Sequence, residues 1–143
     1  MGPIPHFLGF DVVRSAAGVH LSQSKYVVDL LLKTNMSTSK PCPTLICASS
    51  KLQKSGTSFS EPFLYRSTIG ALQYLTYTRP DISFTVNKLS QYMATPTEDH
   101  WKACKRILRY LKGTISLGLM FTPAPSMHIE VYSDADWASC VDD

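Results

Sequence analysis

The stretch that most narrows what this chain can fold into runs from Thr95 to Lys112, TPTEDHWKACKRILRYLK. Thr95 reads as the N-cap, Pro96 as a first helical residue with its φ already set, and Glu98 stands three positions after the cap. Glu98 and Asp99 place negative charge at the positive end of the helix dipole. Trp101, Cys104, Leu108 and Leu111 recur at helical spacing with Ile107 beside them, which defines one apolar face. The remaining surface carries Lys102, Lys105, Arg106, Arg109 and Lys112, with no acid among them. Two readings are open for that surface: the solvated side of an amphipathic helix, or a seat for a polyanion.

Charge elsewhere in the chain favours neither sign evenly. The net charge of +3 over 143 residues hides a basic body, +8 over residues 1–112, and an acidic end, −5 over residues 113–143. A basic body fits a nucleic acid or an acidic protein surface, and a carboxylate-rich end fits a cation site or a polar terminus. Hydrophobic residues make up 44% of the chain, enough for a folded core in one domain or two very small ones.

Cys42, Cys47, Cys104 and Cys140 lack zinc-ligand spacing, and Cys104 falls on the apolar helix face as a buried free thiol. No apolar leader points to an oxidising compartment, so the expected setting is intracellular, cytoplasm or nucleus. No run approaches the roughly 18 apolar residues of a membrane span.

In chain order, HFLGFDVV and GVHLS read as a hairpin joined by Arg14–Gly18, with Gly9 marking a bulge or a close backbone approach. A short helix follows from Ser24 to Lys33, with Val27, Leu30 and Leu31 on its apolar side. From Thr34 to Ser60 the pattern fades into Pro, Ser and Thr, a linker that separates two units or wraps over a surface. Ser60 then opens a helix carrying Tyr65, Ile69, Leu72 and Leu75. Thr78-Arg79-Pro80-Asp81 opens another, with Ile82, Val86, Leu89 and Met93 on one face. With the stretch above they make three helices on short connections, an antiparallel bundle. Leu117–Phe121 and Met127–Ser133 read as two strands paired at the edge of a new sheet.

His6, His20, His100 and His128 are scattered without ligand spacing and read as structural. The one cluster with chemistry in it is Asp134-Ala135-Asp136-Trp137 at a strand end, where carboxylates can meet Mg²⁺. A two-metal phosphodiester site needs several carboxylates from different elements, of which this is one part. A polar strand end is the competing reading.

Five blocks taken together carry more than any single motif: HFLGFDV, GVHLSQSKYVVDLLLK, YRSTIGALQYLTYTRPDISFTVNKLSQYM, HWKACKRILRYLKGT and YSDADWA. In this order they resemble the Pol polyprotein of copia-type LTR retrotransposons, from the C-terminal part of its reverse transcriptase to the first strands of its RNase H domain. By that resemblance Phe7, Leu8, Gly9 and Phe10 form a primer-grip-like hairpin, and the helices of residues 60–112 are thumb- and connection-like. Lys102, Lys105, Arg106, Arg109 and Lys112 then face the phosphates of a template–primer duplex, without regard to base sequence. Asp134 takes the place of the first Mg²⁺-binding carboxylate of RNase H. The polymerase aspartates, on an FxDD- or YxDD-like turn, belong before this region, and the other RNase H carboxylates after it.

The resemblance implies an α+β chain in four parts: a primer-grip-like hairpin and helix (1–33), a linker (34–59), a three-helix thumb-like bundle (60–113) and an incomplete RNase H-like sheet (114–143). The expected function is that of a reverse transcriptase/RNase H fragment, catalytically incomplete, which binds an RNA–DNA hybrid. In the intact family its partners include the rest of the polyprotein and its cofactor is Mg²⁺, which this chain is not expected to hold tightly. A domesticated, non-enzymatic nucleic-acid-binding or adaptor protein is the alternative.

Overall fold

The computed structural model describes residues 6–46, 52–124, 126 and 129–132. Among them the chain is α+β, with one four-stranded antiparallel sheet and four α-helices. The strands are β1 (His6–Phe7), β2 (Phe10–Ser15), β3 (Gly18–Ser22) and β4 (Gly118–Phe121), in that spatial order. The helices are α1 (Ser24–Lys33), α2 (Pro62–Leu75), α3 (Ser83–Ser90) and α4 (Glu98–Gly113).

The first apolar run is not one strand with a bulge. Leu8 and Gly9 have φ of 49° and 78°, so the chain reverses there in a two-residue turn and pairs Phe7 with Phe10. Left-handed φ at both turn positions matches the natural twist of a hairpin. Gly9 takes that conformation freely. Leu8 takes it at a cost, and its carbonyl accepts a hydrogen bond from the Tyr74 hydroxyl. A second hairpin, Ser15 opposite Gly18, joins β2 to β3.

β4 does not open a new sheet with Met127–Ser133. It pairs antiparallel with β3, Val19 opposite Phe121 and Ser22 opposite Gly118. Of the expected partner strand, residues 129–132 have no regular structure and the rest lies outside the described residues. Local alternation shows that a stretch is strand-like but not which strand it joins.

α1 ends in a left-handed residue, Asn35, with φ of 56°. The Met36 amide donates to the Leu31 carbonyl at 2.8 Å and the Asn35 amide to that of Leu32 at 3.1 Å, which together close the helix. Leu31 and Met36 are both buried in the core.

α2 begins at Pro62, two residues later than expected, and buries Tyr65, Ile69, Leu72 and Leu75 without remainder. Thr78 does not cap a helix. It is buried, its hydroxyl donates to the Gln23 side-chain oxygen at 2.7 Å, and a 3₁₀ turn, Pro80–Ile82, leads into α3. Ile82, Val86 and Leu89 are fully buried, with Met93 partly so.

One hydrophobic cluster gathers these faces with Val27, Leu30 and Leu31 of α1 and with Trp101, Cys104, Ile107, Leu108 and Leu111 of α4. A buried side chain of this kind contributes about 1.5–3 kcal/mol relative to exposure. α1 thus shares its core with the three later helices.

Candidate nucleic-acid interface

α4 starts two residues later than the sequence suggested. Its N-cap is Thr97, not Thr95, and the third helical residue completing the capping box is His100. The His100 backbone N–H donates to Thr97 Oγ1, and the Thr97 N–H donates to His100 Nδ1 at 3.0 Å. A histidine at that position is not part of the usual Ser/Thr-x-x-Glu/Gln pattern, and that is why the motif was misplaced. The His100 ring is fully buried and stacks on Tyr92 with 3.9 Å between centroids. Burial lowers its pKa, against weaker raising influences from the Gln53 backbone and Asp99.

The buried side of α4 fixes its rotation. Trp101 stacks on Phe59 at 5.0 Å, and Cys104, Ile107, Leu108 and Leu111 have no exposed surface. The five cations therefore lie on the outer faces, as the periodicity required.

What meets them there is the linker. Arg106 Nε donates to the Thr44 carbonyl at 3.1 Å and its Nη2 to the Thr44 hydroxyl. Arg109 Nε donates to the Lys40 carbonyl at 2.7 Å, and the Cys42 amide donates back to the Arg109 carbonyl at 3.2 Å. Lys112 Nζ reaches the Ser37 and Ser39 carbonyls at 2.6 and 2.7 Å. Residues 37–44 of the expected linker therefore run over the surface of α4. Apart from the Thr44 hydroxyl their contacts use backbone groups, which leave no trace in side-chain pattern.

These partners are neutral. Among the described residues only Lys102 has a carboxylate, Asp99 at 2.9 Å, in a pair exposed on both sides. Hydrogen bonding and charge between the two raise the Lys102 pKa and lower that of Asp99. Lys105 is half-buried and forms no ion pair with the described residues. A carbonyl orders a guanidinium or ammonium group without cancelling its charge, so the field of this face persists under the linker.

The primer-grip-like residues form a second feature. Phe7 and Leu8 are exposed at the tip of the first hairpin, while Phe10 packs 6.0 Å from Tyr74. Tyr26 and Tyr77 meet Tyr74 edge-on at 5.2 and 5.9 Å. Leu8, Gly9 and Phe10 line a shallow, open and almost wholly apolar depression with Tyr26, Tyr74 and Tyr77. No spacing rule in the sequence joined Tyr74 to the hairpin.

Asp134 lies outside the described residues. Among the described residues no three His, Cys, Asp or Glu side chains gather in one group.

Sequence reasoning also missed Arg79, whose guanidinium is buried between the α2–α3 connection and the end of α4. It donates to both Asp81 oxygens at 3.0 and 2.8 Å and to the Thr114 carbonyl and hydroxyl at 2.9 and 2.8 Å. Its carbon lies 5.5 Å from the centroid of the Tyr110 ring, whose hydroxyl donates to Asp81 at 2.9 Å.

No family model matches the chain, and no solved structure matches it. Curated relatives do. The retrovirus-related Pol polyproteins from transposons RE2 and RE1 of Arabidopsis thaliana are each 50% identical to it over 139 residues, 96% of this chain. The retrovirus-related Pol polyprotein from transposon TNT 1-94 of Nicotiana tabacum is 35% identical over 154 residues, 99% of this chain. The chain spans only about a tenth of the length of these proteins, 10%, 10% and 11% respectively. Over nearly its whole length, then, the chain is homologous to one segment of the Pol polyproteins of copia-type retrotransposons.

Proposed function

We propose that this chain is the template–primer-holding segment of a retrotransposon reverse transcriptase/RNase H polyprotein. In this reading it grips duplex nucleic acid by its phosphates and supplies neither polymerase nor RNase H chemistry by itself. The observation that carries the reading is the state of the α4 cations: fixed in rotation by an apolar face, three of them ordered by neutral carbonyls, and, among the described residues, uncompensated by carboxylates except at Lys102. Such a face attracts a phosphate backbone through released counterions and gives no base preference. The homology to Pol polyproteins and the charge of +8 over residues 1–112 agree with it.

The test is equilibrium binding of a labelled RNA–DNA hybrid across a salt series, with Lys102→Ala/Lys105→Ala as the variant. Among the described residues these two side chains make no hydrogen bond to the linker, so their loss leaves the contacts of residues 37–44 with α4 in place. If each contacts one phosphate, the slope of log affinity against log salt falls by about 2. Equal affinity at an equal slope would make the face a solvated surface and end the reading. The same protein is expected to add no nucleotide to a primed RNA template.

A further inference from the structure

Between α3, α4 and the linker lies a cavity of about 220 Å³, more enclosed than the depression beside the first hairpin. Its floor is mostly apolar, formed by Leu45, Ile46 and Leu52 of the linker and Ala103 of α4, with the buried hydroxyl-bearing Thr85 of α3 beside them. Its rim is cationic, with Lys88 from α3 and Lys102, Arg106 and Arg109 from α4. No carboxylate lines it among the described residues.

The rim retains donors for a ligand. A guanidinium has five N–H groups. Toward the linker Arg106 uses Nε and Nη2 and Arg109 uses Nε, so Arg106 Nη1 and both Nη groups of Arg109 remain uncommitted among the described residues. Among the described residues Lys102 is held only by the exposed Asp99 pair, and such exposed pairs are weak and exchange readily.

The chemistry of floor and rim together narrows the occupant. A bare inorganic anion gains nothing from Leu45, Leu52 and Ala103. A purely apolar molecule brings no counter-charge to Lys88, Arg106 and Arg109, which have no carboxylate partner among the described residues. The cavity is also smaller than the roughly 300–1,000 Å³ of sites for drug-sized ligands, so it suits a single ring system. A nucleobase with a phosphate on either side has both properties. In a duplex that base is stacked and paired inside the helix, whereas a single strand can turn it outward.

We propose that this cavity takes one unpaired base of a single-stranded nucleic acid, with its flanking phosphates on the rim formed by Lys88, Lys102, Arg106 and Arg109. The inference rests on the reading above for the basic face but names a different ligand, a strand beyond the duplex. A free mononucleotide offers the same base-and-phosphate chemistry with fewer charges to engage the rim.

The test is fluorescence-anisotropy binding of three labelled probes to the whole chain: a ten-nucleotide single strand, a strand of the same length with every base removed, and an RNA–DNA hybrid. The base-bearing strand is expected to bind about tenfold more tightly than the abasic one, through burial of the base's apolar faces against Leu45, Leu52 and Ala103. Ala103→Phe fills the floor without changing charge and is expected to erase that difference while leaving hybrid binding unchanged. Lys88→Ala is expected to weaken single-strand binding severalfold and hybrid binding less. Equal binding of the base-bearing and abasic strands by the native chain would overturn the proposal, and needs no variant to fold. So would undiminished base-bearing binding by a folded Ala103→Phe chain, or equal displacement by polyglutamate, which would give the cavity to acidic peptides. Displacement by adenosine monophosphate at equal nucleotide concentration would overturn the strand as occupant. Hybrid binding without a base effect removes this inference and leaves the reading above. A base effect without hybrid binding does the reverse.

Discussion

Arg79 Nη2 donates to Asp81 Oδ2 at 2.8 Å, with the arginine side chain 3% exposed and the aspartate 35%. The pair locks the connection after α2 to Thr114, the residue that follows α4. Burial by itself raises the Asp81 pKa, but hydrogen bonds from Arg79 and Tyr110 and the Arg79 charge outweigh it and hold the carboxyl below its usual value.

Arg79→Met is therefore expected to destabilise the chain by about 3 kcal/mol, the low end of what breaking a buried pair costs. It leaves Asp81 without its countercharge and Thr114 without its donors. Asp81→Asn should cost less, because it keeps a hydrogen-bond acceptor for the guanidinium and leaves both Arg79–Thr114 contacts in place. Urea unfolding of the two variants decides this. An Arg79→Met midpoint no lower than that of Asp81→Asn would mean that the guanidinium is not the anchor.

His100 sets a second expectation. Its folded pKa lies below the ordinary 6.5, so the unfolded chain binds the proton more readily. The stability it contributes is complete above about pH 6.5 and is lost as pH falls through the folded value. Protonation would place a hydrogen on Nδ1, which now accepts from the Thr97 amide. His100→Gln keeps a residue able to complete the capping box and removes the titration. Denaturation midpoints from pH 7 to pH 5 should fall more steeply for the native chain than for this variant. Parallel curves would contradict the assignment.

The two described cysteines should differ in reactivity. Cys104 has no exposed surface, and burial raises its pKa far above the usual thiol range. Hydrogen bonding to the Thr44 backbone, reinforced by the side-chain hydrogen bond of Thr44 and the charges of Arg106 and Arg109, lowers the Cys42 pKa against an opposing burial effect. In a Cys47→Ser/Cys140→Ser background, iodoacetamide is expected to alkylate Cys42 at least about tenfold faster than Cys104, consistent with thiolate-controlled reactivity. Peptide mass mapping at timed quenches reads the order, and modification of Cys104 first would reverse it.

Gly118 governs whether β4 stays on the sheet. A Cβ there would overlap the Leu21 carbonyl oxygen, a backbone atom that cannot swing aside. Gly118→Ala is expected to release β4, lowering hydrogen-exchange protection of the β3–β4 amides at least about tenfold while the amides of α2 and α4 keep theirs. Unchanged protection at Leu21 would show that the strands accommodate the methyl group.

The helices were legible because their signals are local. α1 has the limits its pattern implied, and each leucine, isoleucine and tyrosine assigned to the inner side of α2 is buried. The cap of α4 was misread because two threonines compete within three residues and a histidine completes the box. The strand partnership was beyond reach: Val19 and Phe121 meet across the whole helical body, and nothing near either residue encodes the other. For the candidate interface, sequence gave the rotation of the cations but not the linker carbonyls over them. Lys88 joins the cavity rim only through the packing of α3 on α4.

That strand partnership also sets an order of events at synthesis. β3 leaves the ribosome before its partner β4, which follows roughly a hundred residues later, after all four described helices. At translation speeds of about 5–20 residues per second, β3 waits several seconds with one edge unpaired. During that interval the helices, whose contacts are mostly nearer in sequence, can already close their core. Until Phe121 emerges, the β3 edge is open to any other extended segment, including the same strand of a neighbouring nascent chain on one polysome.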